Sequence, residues 1–183
     1  MNSYLTSVKK QFEYYKSLGE KTIDQLPDEM LFWIPATESN SIAMIVKHLH
    51  GNMLSRWTDF LTADGEKEWR KRDTEFNNDT TTKPAAMAQW NQGWECLFNT
   101  IDTLKETDLE KVVYIRNMGH TVIEAINRQL CHYSYHIGQI VFLGKMIQNQ
   151  KWQTLSIPKG ASEQYNSDKL LKDKRTQHFT EDL

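Results

Sequence analysis

Four segments of this chain repeat large apolar residues at spacings of three and four, and no other feature of the 183 residues constrains the fold as tightly. A period near 3.6 gathers such residues into one stripe of an α-helix, and the stripe has to be buried against another element. The first segment carries Leu5, Val8, Phe12, Tyr15 and Leu18, continued by Ile23 and Leu26, and Pro27-Asp28-Glu29 breaks it. The second carries Ile42, Ile45, Val46, Leu49, Met53, Trp57 and Phe60. Ser39 or Ser41 is placed to cap its start, and a turn at Thr62-Ala63-Asp64-Gly65 is expected to end it near Leu61. The third opens at Pro84, a favoured first-turn residue with Thr82 or Lys83 before it. It runs through Met87, Trp90, Trp94, Leu97, Phe98, Ile101 and Leu104 to end near Lys105. The fourth, from about Thr121 to Asn149, carries Val122, Ile123, Ile126, Leu130, Tyr133, Ile137, Ile140, Val141, Gly144 and Ile147. Four such helices predict an all-α fold in the form of a four-helix bundle.

Between the second and third helices, Asp64 to Lys83 is polar, with Trp69 and Phe76 as its large apolar anchors. About 20 residues is long for a connection in a compact domain, and loops of that length tend to be functional or mobile. From Leu109 to Ile115, Val113 and Ile115 alternate with Tyr114 and Arg116, which predicts a short extended segment followed by a turn at Asn117-Met118-Gly119. Past the fourth helix, Ser162 to Leu171 is expected to form one short helix and the last dozen residues to fray. The expected organisation is a bundle over residues 1–150 and a C-terminal extension over 151–183 that packs on or trails from it.

Twenty-two basic against 24 acidic residues leave a net charge of −2, which gives no reason to expect a nucleic acid or an anionic membrane as partner. No run of about 18 apolar residues is present, so no membrane-spanning helix is expected. Met1-Asn2-Ser3-Tyr4-Leu5 lacks the basic-then-apolar pattern of a secretory signal, and a cytoplasmic location is the expectation. The two cysteines, Cys96 and Cys131, form no CxxC pair and are read as reduced thiols. Neither a GxSxG elbow nor a phosphate-binding glycine loop occurs.

Chemistry concentrates in the histidines. His132 and His136 stand four residues apart, which puts both rings on one face of the fourth helix, a turn apart. That separation suits two imidazoles on one ion, and a third ligand would have to come from another helix. Lys47-His48-Leu49-His50-Gly51-Asn52 on the second helix offers two candidates. His50 sits nearer the centre of the apolar stripe, while His48 lies on its flank, as His132 and His136 do on theirs. Gln139 and Asn52 are candidates to orient ligands or bound water. Arg56, Arg70, Arg72 and Asp73 form a charged set around the long connection. They read first as a solvated salt-bridge cluster, and otherwise as a grip for a carboxylate-bearing substrate. Glu124 is a candidate general base. Cys131, beside His132 but about 100° around the helix, reads as packing and not as a ligand. His120 and His178 fall in expected loop and tail.

Two runs carry a family resemblance. Ser41-Ile42-Ala43-Met44-Ile45-Val46-Lys47-His48-Leu49, followed by Asn52 and Trp57, resembles the second helix of the DinB/YfiT-like superfamily. His132-Tyr133-Ser134-Tyr135-His136-Ile137-Gly138-Gln139-Ile140 resembles its H-x-x-x-H-x-G-Q signature. The likeness covers roughly residues 1–150. It is greatest to an uncharacterised branch carrying the stretch Gly51-Asn52-Met53-Leu54-Ser55-Arg56-Trp57-Thr58-Asp59-Phe60. The resemblance implies a DinB-type bundle, often a homodimer, with His48, His132 and His136 on one divalent ion. Imidazole ligands suit zinc, nickel or iron alike. It further implies a metal-dependent enzyme that activates a low-molecular-weight thiol or water, of S-transferase or hydrolase type. The alternative is a non-catalytic, metal-stabilised dimer with a stress-related or binding role. A small anionic substrate would meet Arg70 and Arg72, with Trp69 or Phe76 closing over it.

Overall fold

The computed structural model describes residues 3–182. The chain is mostly helical. Four long helices, α1 (Tyr4–Ile23), α2 (Ile42–Trp57), α3 (Lys83–Thr103) and α4 (Val122–Gln148), are joined by a small hairpin of β1 (Val112–Ile115) and β2 (Met118–Thr121). A short α5 (Ser162–Leu170) follows. Each long helix starts where a hydroxyl caps it. Ser3 accepts from the Thr6 N–H, Ser41 from Met44, Thr82 from Ala85 and Thr121 from Glu124. These caps satisfy backbone donors that the first turn leaves free. The Glu124 carboxylate returns a bond to the Thr121 N–H, completing a capping box. That carboxylate serves the helix cap, and Glu124 does not line the cleft that the histidines share.

The apolar stripes meet in one core. The principal contacts of α2 are with α3 and those of α1 with α4, and α2 also touches α4. Val8, Phe12, Leu49, Met53, Trp57, Trp90, Trp94, Ile126, Tyr133 and Ile137 are buried there. Phe12 stands edge-on to Trp57 and Trp94 at centroid distances of 6.1 and 6.4 Å. Burying Trp and Tyr requires partners for their polar ends. The Trp57 Nε1–H donates to the Tyr133 hydroxyl at 2.9 Å, and that hydroxyl donates to Asn52 Oδ1 at 3.0 Å. Gly144 lets α1 approach α4, because a Cβ there would collide with the Thr22 methyl.

Several boundaries differ from the sequence reading. Helix α2 stops at Trp57, and Asp59 takes a positive φ of 51°, so Phe60 reaches the core from a turn and not from the helix. The hairpin turn is Arg116-Asn117, both with positive φ, and Met118 and Gly119 belong to β2. A two-residue turn of that kind matches the twist of the strands it joins. In the segment after α2, Trp69 is 54% exposed and anchors nothing, whereas Arg70 and Glu75 are buried. A 3-10 turn forms at Arg72–Phe76. The C-terminal residues expected to fray instead include a 3-10 turn, Phe179–Asp182. Phe179 lies edge-on to Tyr14 at 5.6 Å, and Glu181 pairs with Lys10. No helix of the described residues is long and apolar enough to cross a membrane.

The Trp57–Tyr133–Asn52 chain yields a stability prediction. Tyr133→Phe keeps the ring but leaves the indole N–H without an acceptor and Asn52 without its donor. Urea denaturation should show a loss of roughly 1–3 kcal/mol. An unchanged midpoint would mean that the hydroxyl does not link α2 to α4.

Candidate metal centre

Helices α2 and α4 bring three imidazoles to one point. His48 Nε2 lies 3.3 Å from His132 Nε2, and His136 Nε2 lies 3.1 Å from the same atom. The ligand atoms of all three fall within 4.8 Å of one another, and no other such group of His, Cys, Asp or Glu occurs among the described residues. Two nitrogens bound to one ion at about 2.0–2.1 Å, at tetrahedral or octahedral angles, stand roughly 2.9–3.4 Å apart. Both separations from His132 Nε2 fall in that range.

The outer ring nitrogens decide the tautomers. His48 Nδ1 is 2.8 Å from Glu75 Oε2. An ionised carboxylate only accepts, so the imidazole proton sits on Nδ1 and the Nε2 lone pair faces the shared point. His136 Nδ1 donates to Gln139 Oε1 at 2.8 Å, with the same result. Gln139 is thus the hydrogen-bond partner of the outer His136 nitrogen. Burial first, then the neighbouring His136 and His48 and the cations Arg56 and Arg70, push the His132 pKa down to about 3. Burial also lowers His136, against the hydrogen bond to Gln139. Both rings are neutral at pH 7, as metal ligands must be.

Glu75 is the residue that sequence reading missed. It comes from the 3-10 turn Arg72–Phe76 and is only 6% exposed. Burial pushes its pKa up, but hydrogen bonds from His48 and Arg70 outweigh that and hold the carboxyl below its usual range. Arg70 grips it through Nε to Oε1 at 2.8 Å and Nη2 to Oε2 at 3.0 Å. Gly51 makes the approach possible, because a Cβ there would collide with Glu75 Oε1. Phe76 covers His48 in a stacked contact with centroids 5.0 Å apart. The missed signal was a carboxylate immediately before an aromatic anchor, opposite a helix glycine.

The other sequence candidates separate clearly. His48 is buried, whereas His50 faces α3 and contacts Gln92 Oε1 at 2.9 Å. The stripe centre misjudged the pair because the flank of α2 is covered by the segment carrying Glu75 and Phe76, not by a helix. Asn52 lines the cleft beside the triad and is bonded to Tyr133. Arg56 and Arg70 are buried and not part of a solvated cluster, while Arg72 lies over the Phe76 ring at 5.2 Å. Cys131 is exposed, and so is not packed, and both cysteines are free thiols. His120 lies in β2 beside Arg128, and His178 contacts Thr180.

The triad opens onto a cleft of about 410 Å³. The model of a family described as a protein of unknown function (DUF1572) matches residues 1–161. No curated protein and no solved structure matches the chain.

Removing the support of His48 should weaken metal binding without removing a ligand. Glu75→Gln, and Gly51→Ala through displacement of the carboxylate, are expected to lower zinc affinity about 10- to 100-fold. Competition titration against a chromophoric chelator measures this. Wild-type affinity in both variants would show that Glu75 does not serve the site.

Proposed function

The chain belongs to the DUF1572 family, whose function is not known, and from the site itself we propose that it is a divalent-metal-dependent enzyme of the DinB-type four-helix bundle. The observation that carries this reading is the convergence of three imidazoles on the wall of an open cleft. Three protein ligands and solvent access mark catalytic metal sites, whereas structural sites are closed by a fourth protein ligand. Bound there, zinc, nickel or iron supplies Lewis acidity that makes a coordinated thiol or water markedly more acidic at neutral pH.

The chain's own residues do the rest. His48, His132 and His136 hold the ion. Glu75 and Gln139 keep the protons of His48 and His136 on Nδ1, so both rings present lone pairs in fixed orientations. Arg70 locks Glu75, and Phe76 keeps water from the face of His48. The reaction class is S-transfer from a small thiol, or hydrolysis. The cluster of apolar side chains that joins the helices is continuous without any of the three histidines. That argues against a metal serving mainly as a staple.

His136→Ala tests the centre. Elemental analysis of tag-free protein should show metal lost, and any thiol-dependent or hydrolytic turnover should vanish. Helical circular dichroism and the thermal midpoint should stay close to those of chelator-treated wild type, because burial of the stripes stabilises the helices. Full activity without metal would sink the mechanism, and outright unfolding would favour the non-catalytic, metal-stabilised reading.

A homodimer is proposed on a separate observation. Tyr135, Phe142 and Met146 are 63%, 64% and 47% exposed on α4. Their spacings of seven and four place them on one face. Light scattering should give twice the 21.5 kDa chain mass. A monomer mass at tens of micromolar would contradict it.

A further inference from the structure

The cleft beside the triad is lined by Arg56, Arg70, Arg72, Arg116 and Arg128 and by no carboxylate. That is unexpected in a chain whose net charge is −2. The arginines come from separate parts of the fold: α2, the segment after it, the hairpin turn, and α4. Two carboxylates stand behind them. Glu75 takes both arms of Arg70. Glu66 is shared by Arg56, Arg70 and Arg116 at 3.3, 3.7 and 3.0 Å.

The remaining two guanidiniums are free of carboxylates among the described residues. Arg72 lies over the Phe76 ring at 5.2 Å, and Arg128 Nη1 contacts His120 Nε2 at 3.1 Å. Phe76 thus contacts both the Arg72 guanidinium and the His48 ring. On the cleft wall, Arg56 is only 6% exposed and its Nε–H has no partner. A buried donor left without an acceptor is costly. A divalent ion held by the triad would add to this excess of positive charge.

We propose that the cleft recognises a small molecule by an oxyanion group, a phosphate or a carboxylate, held by Arg72 and Arg128 next to the metal centre. Guanidinium pairs bind such groups through charge-assisted, often bidentate hydrogen bonds. A volume of about 410 Å³ is that of a small-molecule site and admits no folded partner. Arg70, fully engaged by Glu75, positions His48 and takes no part in the grip. Arg116, tied to Glu66, stands at the rim. The proposal rests on the metal centre facing substrate, and it names the class of substrate.

The test uses the full chain, chelator-treated and zinc-loaded, titrated calorimetrically with inorganic phosphate and, in parallel, with succinate. At least one should bind the chelator-treated protein, and the tighter of the two identifies the recognised group. The double variant Arg72→Gln/Arg128→Gln should weaken that binding at least 10-fold while zinc affinity stays within about twofold of wild type. His136→Ala should lose zinc yet keep anion binding. Anion binding without zinc binding would leave the oxyanion site standing and remove the metal reading. Zinc binding with neither anion bound would overturn the proposal and leave the metal centre intact. Anion binding unchanged in the double variant would also overturn it.

Discussion

A buried carboxylate needs partners for both oxygens, and Glu75 finds them in Arg70 and His48. Left unpaired at that depth it would cost several kcal/mol or take up a proton. The pairing therefore imposes a conformation on the segment between α2 and α3. The segment has to run back along α2 until Glu75 meets His48, and it can come so close only because residue 51 is glycine. Two other placements follow from that one. Phe76 lands on the His48 ring, and Arg72, four residues earlier, lands on Phe76. The polar connection is thus the fourth wall of the site, fixed by charge where the helices are fixed by apolar burial.

Charge balance explains why so many arginines coexist with a triad suited to a cation. Burial, then the neighbouring His136 and His48, then Arg56 and Arg70 all disfavour positive charge at His132. Glu75 and Glu66 offset part of this from behind. The rear of the cleft is built with matching care. Arg56 donates to the Gly65 carbonyl, Ser55 Oγ donates to the same carbonyl at 2.7 Å, and Asp64 accepts from the N–H groups of Arg116 and Asn117 at 2.8 Å each. Burial pushes the Asp64 pKa up, but backbone bonds from Asn117, Glu66 and Arg116 and the nearby Arg56 together pull it below the usual range. The hairpin turn is thereby anchored to the segment after α2, and Arg116 is delivered to the cleft rim.

The helices were legible because each obeys a local rule. A stripe of period 3.6, a hydroxyl at the cap, and Pro84 in a first turn can all be read without knowing the fold. The pair His132 and His136 was legible for the same reason, since four residues make one turn. What lay beyond reach depended on which surface covers which. Helix α2 is buried on nearly every side, so the centre of its stripe no longer separates His48 from His50. Arg70 and Glu75 looked like ordinary loop charges, because they are buried through contacts with each other and with α2 that local sequence does not reveal. Trp69 showed the opposite failure. Its size marked it as an anchor, yet it remains exposed.

The two halves of the site differ in how they are held. The triad stands on α2 and α4, which are joined through the core by Trp57, Tyr133 and Asn52. Asn52 is the last member of that chain and also lines the cleft. Rigid packing of this kind fixes ring positions to the few tenths of an ångström that coordination demands. The exposed arginines of the cleft, Arg72, Arg116 and Arg128, stand on a 3-10 turn, a two-residue hairpin turn and an outward face of α4, where substitution disturbs little of the core. A fold arranged this way separates the two tasks. On the proposed reading, ion binding would depend on the helices and on Glu75, and the choice of substrate on the exposed arginines, so one could change without dismantling the other.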